Sequence, residues 1–130
     1  MNARGGDNLQ PMPALALSLA DRVEAVLESI DLARLRLSGE LDSQRRDVLG
    51  QFLTPAPVAR QLAAMFSPPT GDLRVADPGA GLGSLGAAVV ARFLMQEARP
   101  AAITLTAWEI DPAMSPGLST AAAIGGLTCC

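Results

Sequence analysis

Residue types with frequent chemical roles are missing from this chain. It has no histidine and no lysine, and all ten of its basic residues are arginine. Without histidine there is no imidazole base and no ordinary zinc site. Without lysine there is no lysine nucleophile and no phosphate loop of the Gly-Lys-Ser/Thr type. Aromatics are scarce, at 3% of the chain, so any core is built from small and aliphatic residues. The two cysteines, Cys129 and Cys130, are adjacent. Adjacent cysteines are poorly placed to pair with each other, and nothing points to an oxidising compartment, so a cytoplasmic location is expected. The formal net charge of −3 leaves no basic footprint for nucleic acid. No apolar run reaches the roughly 18 residues of a membrane span.

What remains is enough for one domain. The 130 residues are 49% hydrophobic. Residues 1–13 carry Gly, Asn and two prolines and read as a disordered leader. From about Ala14 the pattern turns helical, giving an N-terminal helical extension over 14–48. Val23, Val26, Leu27, Ile30 and Leu37 share one face, Ser18 and Asp21 make a cap pair, and Ser38-Gly39 is a stop. A short helical turn is expected between Glu40 and Val48.

A second helix is expected from Thr54-Pro55, with threonine as N-cap and proline in the first helical position. Val58, Leu62, Met65 and Phe66 mark one helical face, and Pro68-Pro69 stop it at Ser67. Leu73–Ala76 then reads as a short buried strand. Asp77-Pro-Gly79-Ala-Gly81-Leu-Gly83 follows, an acid and three glycines on alternate positions. A helix begins at Ser84, with Leu85, Ala88, Val89 and Phe93 inward, and ends near Glu97. Ile103–Ile110 alternates apolar residues with threonine and is the second strand. Strand, helix, strand at this spacing predicts a right-handed βαβ unit. Residues 113–130 show little periodicity and no charge, and read as a degenerate or truncated tail with no third strand evident.

A strand feeding a glycine loop and a helix start is a nucleotide-ligand arrangement, because glycines admit close backbone approach and the helix offers free N–H groups. Two ligand classes fit. Gly81-x-Gly83-x-x-Gly86, with Glu109 as the ribose acid, matches a dinucleotide fingerprint. Asp77 favours the other class, since a carboxylate at the strand end repels pyrophosphate and suits an amine. With Glu109 placed to accept from two ribose hydroxyls, that class is S-adenosylmethionine, which has an amine, a sulfonium and a ribose but no phosphate. For Thr54, Glu109 and Asp111 the plain structural alternatives are a helix cap and polar strand ends.

Gly-Gln-Phe-Leu-Thr-Pro (50–55), Asp-Pro-Gly-Ala-Gly-Leu-Gly-Ser-Leu (77–85) and Trp-Glu-Ile-Asp-Pro (108–112) stand in an order that resembles the opening of adenine-specific DNA methyltransferases of restriction–modification systems. The resemblance covers 49–112. It implies an incomplete Rossmann-like S-adenosylmethionine-dependent methyltransferase fold, of α/β class, with an N-terminal helical extension. It implies that Phe52 and Thr54 lie against the methionine part of the cofactor. It also implies that Asp77, Gly79, Gly81 and Gly83 wrap the cofactor, that Glu109 holds the ribose, and that Ile110 borders the adenine ring. Such enzymes act on DNA and carry an Asn/Asp-Pro-Pro-Tyr/Phe motif that holds a flipped adenine. That motif and a DNA-reading region are absent here, and Ser67-Pro-Pro-Thr70 reads as a linker. The chain is therefore expected to be a front-end fragment, inactive alone, with a dinucleotide-dependent oxidoreductase fragment or a non-enzymatic helical interaction module as the alternatives.

Overall fold

A computed structural model describes residues 17–40, 53–67, 69–122 and 128–129. In chain order the elements are α1 (Leu19–Glu40), α2 (Ala56–Ala64), β1 (Leu73–Pro78), α3 (Ser84–Leu94), β2 (Ile103–Trp108), a 3-10 turn (Pro112–Met114), α4 (Ser115–Ala122) and β3 (Thr128–Cys129). The strands form one parallel sheet in the order β1-β2-β3, with Leu73 opposite Ile103 and Pro78 opposite Trp108. This is a mixed α/β architecture with a small parallel sheet.

Helix α1 starts where its side chains dictate. Ser18 Oγ accepts the Asp21 N–H at 3.1 Å, while Asp21 Oδ2 accepts from the Ser18 N–H at 3.2 Å and from its hydroxyl at 2.7 Å, a reciprocal capping box. The helix runs through Ser38-Gly39 to Glu40 instead of stopping at the glycine, which lacks the positive φ of a helix-ending residue. The turn expected over 40–48 falls, past Glu40, outside the described residues. Val23, Leu27 and Ile30 are buried against Leu82, Ala87, Val90, Ala91, Leu105, Met114 and Ala121, so α1 covers α3 and α4.

Helix α2 departs from expectation twice. It begins at Ala56, and Thr54 does not cap it: Pro55 takes the N-cap position with no side-chain bond. The Ala56 N–H instead donates to Asp31 Oδ1 of α1 at 3.2 Å, a cap supplied from 25 residues away. Its inward face is also not the large apolar one. Ala59 and Ala63 are buried against Ala88, Val89 and Phe93, whereas Val58, Leu62, Met65 and Phe66 are 43%, 40%, 79% and 52% exposed. Alanines let α2 lie close on α3, and that close approach outweighs the pull of the larger side chains.

The sheet presents one face to the helices. Leu73, Val75, Ile103 and Leu105 pack into the two helical clusters, while Arg74, Ala76, Pro78, Thr104 and Trp108 on the opposite face are exposed. The segment after Asp111 is also more ordered than its composition suggested. It holds the 3-10 turn, α4 and the two residues of β3 that pair with Thr106 and Ala107. Met114, Leu118 and Ala121 are buried, so three apolar side chains spaced three or four apart suffice to seat a short helix. No helix among the described residues is long and apolar enough to cross a membrane.

Candidate functional site

The glycine loop sits at the carboxyl ends of β1 and β2. Its shape follows from its sequence. Gly79, Gly81 and Gly83 have φ of +75°, +57° and +79°, a left-handed conformation at every second residue. No other described residue has positive φ. The loop is pinned at both ends by backbone bonds. The Trp108 carbonyl accepts from the Gly79 and Ala80 N–H groups, both at 2.9 Å, and the Ala80 carbonyl accepts from Gly83 at 2.8 Å. The first two bonds hold the loop to the end of β2, across the seam where the two strands meet.

The glycines differ in what surrounds them. A methyl group on Gly79 would meet nothing within 4 Å, and one on Gly81 would meet only Leu53, at 3.6 Å. That side of the loop faces open space. A methyl on Gly83 would stand 2.8 Å from Ala121 Cβ, and one on Gly86 would stand 2.9 Å from Leu105 and 3.0 Å from Asp77 Oδ2. Gly83 and Gly86 are where α3 closes on α4 and on the sheet.

Two carboxylates flank the loop. Asp77 ends β1 opposite Ala107, and its Oδ2 accepts the Gly86 N–H at 3.2 Å. It thereby satisfies one of the free N–H groups in the first turn of α3. Desolvation pushes its carboxyl above the usual 3.8, and the Gly86 bond opposes that only in part. Its other oxygen accepts no hydrogen bond from the described residues. Glu109 follows β2. Its Oε2 accepts from Gly81 at 2.7 Å and its Oε1 from Asp111 at 2.8 Å, so it ties the loop to the segment after β2.

The structure thus brings together Asp77, Gly79, Gly81, Gly83 and Glu109. Ile110 is 86% exposed beside them. Thr54 is described and half-buried just before α2, without the capping role expected of it, and Phe52 lies outside the described residues. Asp31 had no assigned place in the sequence reading, and Asp111 was read there as a motif residue or a polar strand end. Asp31 caps α2, and the Arg34 guanidinium, 2.6 Å away, holds its carboxyl below the usual range despite partial burial. Its partner lies too far along the chain for any local pattern to show it. Asp111, only 3% exposed, accepts from the Ala113 N–H at 3.0 Å and caps the 3-10 turn. The Asp-Pro pair at 111–112 is a local signal for that role. Among the described residues no group of three or more Cys, Asp or Glu side chains is placed to hold a metal ion.

Comparison with known proteins adds a relationship. The chain is 35% identical over 100 residues to the type II methyltransferase M.BsuBI of Bacillus subtilis, which covers 76% of this chain and 19% of that protein. It is 34% identical over 85 residues to the type II methyltransferase M.PstI of Providencia stuartii, covering 65% of this chain and 16% of that protein. The matched part is therefore less than a fifth of the length of either relative. No family model matches the chain. No solved structure matches it. Through these two proteins, over most of its own length, the chain is related to type II methyltransferases.

Proposed function

We propose that this chain is the cofactor-binding part of an adenine-specific DNA methyltransferase and takes S-adenosylmethionine at the carboxyl ends of β1 and β2. One observation carries the reading. A loop of three left-handed glycines lies open on one side and has a carboxylate at each flank, in a chain related to methyltransferases. Strand ends of a parallel sheet are where such folds hold ligands.

The residues present fit the cofactor. Each Glu109 oxygen already accepts one N–H and keeps a second lone pair, so two ribose hydroxyls can donate to it without displacing the loop. The uncommitted oxygen of Asp77 suits the ammonium group, and a cation there offsets the desolvation that raises its carboxyl pKa. Ile110 offers exposed apolar surface for the adenine ring. The resemblance assigns Phe52 and Thr54 to the methionine end. When bound, the cofactor supplies a methyl group already activated on its sulfonium. The work of the enzyme is then to orient the acceptor, a flipped adenine in DNA. This chain has no Asn/Asp-Pro-Pro-Tyr/Phe motif to hold that base, so it binds cofactor without transferring methyl.

A dinucleotide reading keeps one point in its favour. The tight contact of Gly86 with Leu105 is the helix-on-strand packing expected of the third fingerprint glycine. Calorimetry on the 130-residue chain separates the two. Saturable binding of S-adenosylmethionine, lost in Glu109→Ala, is expected. Saturable binding of NAD with none of S-adenosylmethionine reverses the assignment. A folded helical oligomer that binds neither ligand, and that is indifferent to changes at Asp77 and Glu109, points to an interaction module. Incubation with DNA and methyl-labelled cofactor is expected to leave adenine unlabelled, and label on adenine overturns the inactivity.

A further inference from the structure

The start of α2 is held from α1 and not by its own sequence. Ala56 opens α2, and its N–H donates to Asp31 Oδ1 at 3.2 Å. Asp31 is itself fixed. It follows Ile30, which is 2% exposed in the core, and the Arg34 Nε donates to the same Oδ1 at 2.6 Å. A second polar tie between the two helices, Arg60 with Glu24, is half exposed on both sides and so contributes little. Of these two ties, the one that fixes the α2 start is Asp31.

That start lies against the candidate cofactor site. Leu53 packs on the core that α1 shares, and a methyl on Gly81 would stand 3.6 Å from its Cδ2. Residues 53–55 thus border the open side of the glycine loop. Asp31, Ala56 and Ser84 line one cavity of about 10 Å³, scarcely room for one water molecule. The α2 start therefore also closes on the first turn of α3, whose Gly86 N–H donates to Asp77. On the cofactor reading this is the ammonium end of the ligand, whereas Glu109 and Ile110 serve its ribose and adenine.

We propose that Asp31 is a positioning residue for the cofactor: by holding the Ala56 N–H it fixes residues 53–55 beside the glycine loop before the ligand arrives, and so favours the amino-acid end of S-adenosylmethionine. The inference rests on the cofactor reading. Asp31 acts through Ala56 and not by contact. A wall that is already ordered costs a ligand less than one that binding must order. Coupling is reciprocal, so a ligand that uses this wall strengthens the bond between Asp31 and Ala56 in return.

Two ligands and two variants test this by calorimetry on the full chain. Methylthioadenosine keeps the adenine, ribose and sulfur of S-adenosylmethionine and lacks the amino-acid end. Asp31→Ala is expected to weaken S-adenosylmethionine about fivefold, the equivalent of one ordinary hydrogen bond, and to leave methylthioadenosine unchanged. Asp31→Asn keeps an acceptor oxygen and is expected to restore most of the affinity. A merely structural role predicts equal loss of both ligands. Hydrogen exchange in the unaltered chain adds a measurement that needs no variant to fold. The Ala56 amide is expected to exchange more slowly under saturating S-adenosylmethionine than under saturating methylthioadenosine. Equal loss of the two ligands, undiminished affinity in Asp31→Ala, no rescue in Asp31→Asn, or equal Ala56 exchange with both ligands overturns the inference and leaves the cofactor reading standing. An unaltered chain that binds neither ligand overturns both.

Discussion

The glycine loop allows stability and ligand binding to be separated by two substitutions of the same kind. Gly79 and Gly83 have nearly equal φ, +75° and +79°. Alanine at either position is held in the left-handed region, at about 1–2 kcal/mol. Fewer unfolded conformations return roughly 0.4–1 kcal/mol of that. The two positions then diverge. A methyl on Gly79 meets nothing within 4 Å, so Gly79→Ala is expected to cost about 1 kcal/mol in total. A methyl on Gly83 meets Ala121 Cβ at 2.8 Å and Leu118 Cδ1 at 3.2 Å, where α3 and α4 must separate to admit it. Overpacking of that kind adds about 1–3 kcal/mol, so Gly83→Ala is expected to cost about 2–4 kcal/mol. Urea unfolding followed by circular dichroism measures both. Binding is expected to run the other way for the cheaper variant. The Gly79 methyl enters the open side of the loop, so Gly79→Ala should lose cofactor affinity while staying folded. Equal stability losses at the two positions would refute the packing term. A Gly79→Ala chain with undiminished cofactor binding would refute the placement of the ligand.

The remaining predictions concern the acids and the helix face that departed from expectation. Asp31→Ala removes the acceptor for the Ala56 N–H and is expected to cost about 0.5–2 kcal/mol in urea melts, whereas Asp31→Asn keeps an acceptor oxygen and should retain most of it. The two perturbed aspartates act on pH dependence with opposite signs. Asp77 binds its proton more tightly folded than unfolded, so its contribution is fully present below 3.8 and is lost as pH rises through the raised folded value. Asp31 has a lowered folded value, so its contribution is present above 3.8 and is lost as pH falls below it through the lowered folded value. Stability measured across the acid range in Asp77→Asn should therefore lose the first slope and keep the second, and an unchanged profile counts against the desolvation of Asp77. On α2, Leu62→Ala is expected to cost less than about 1 kcal/mol because Leu62 is 40% exposed, while Phe93→Ala in α3 should cost about 3–5 kcal/mol. A large loss at Leu62 would contradict the alanine-faced packing of α2.

The residues of the candidate site were legible because their signals are local. A run of apolar residues, an acid, glycines on alternate positions and a helix start state a strand–loop–helix unit within a dozen residues. Left-handed φ at Gly79, Gly81 and Gly83 is the conformation that glycine alone adopts without strain. The Ser18–Asp21 cap and the inward face of α1 were equally local, since helical spacing alone puts Val23, Leu27 and Ile30 together. Other features depended on partners remote in the chain. The hydrophobicity of α2 selects Val58, Leu62, Met65 and Phe66, yet Ala59 and Ala63 are inside. Thr54-Pro55 read as a helix start, but the cap comes from Asp31. The segment after Asp111 read as featureless, yet Leu118 and Ala121 find a place beside Gly83 that seats α4.

The sequence by itself determined the order of the elements as far as β2, the inward side of α1 and the glycine loop that follows β1. Each depends on the conformational preferences of a few consecutive residues. The tertiary structure decided which face of α2 is buried, where its cap comes from, and that Glu109 ties the loop to the segment after β2. These choices depend on which surfaces approach closely enough to exclude water. Small side chains and a distant carboxylate can settle them against the local pattern.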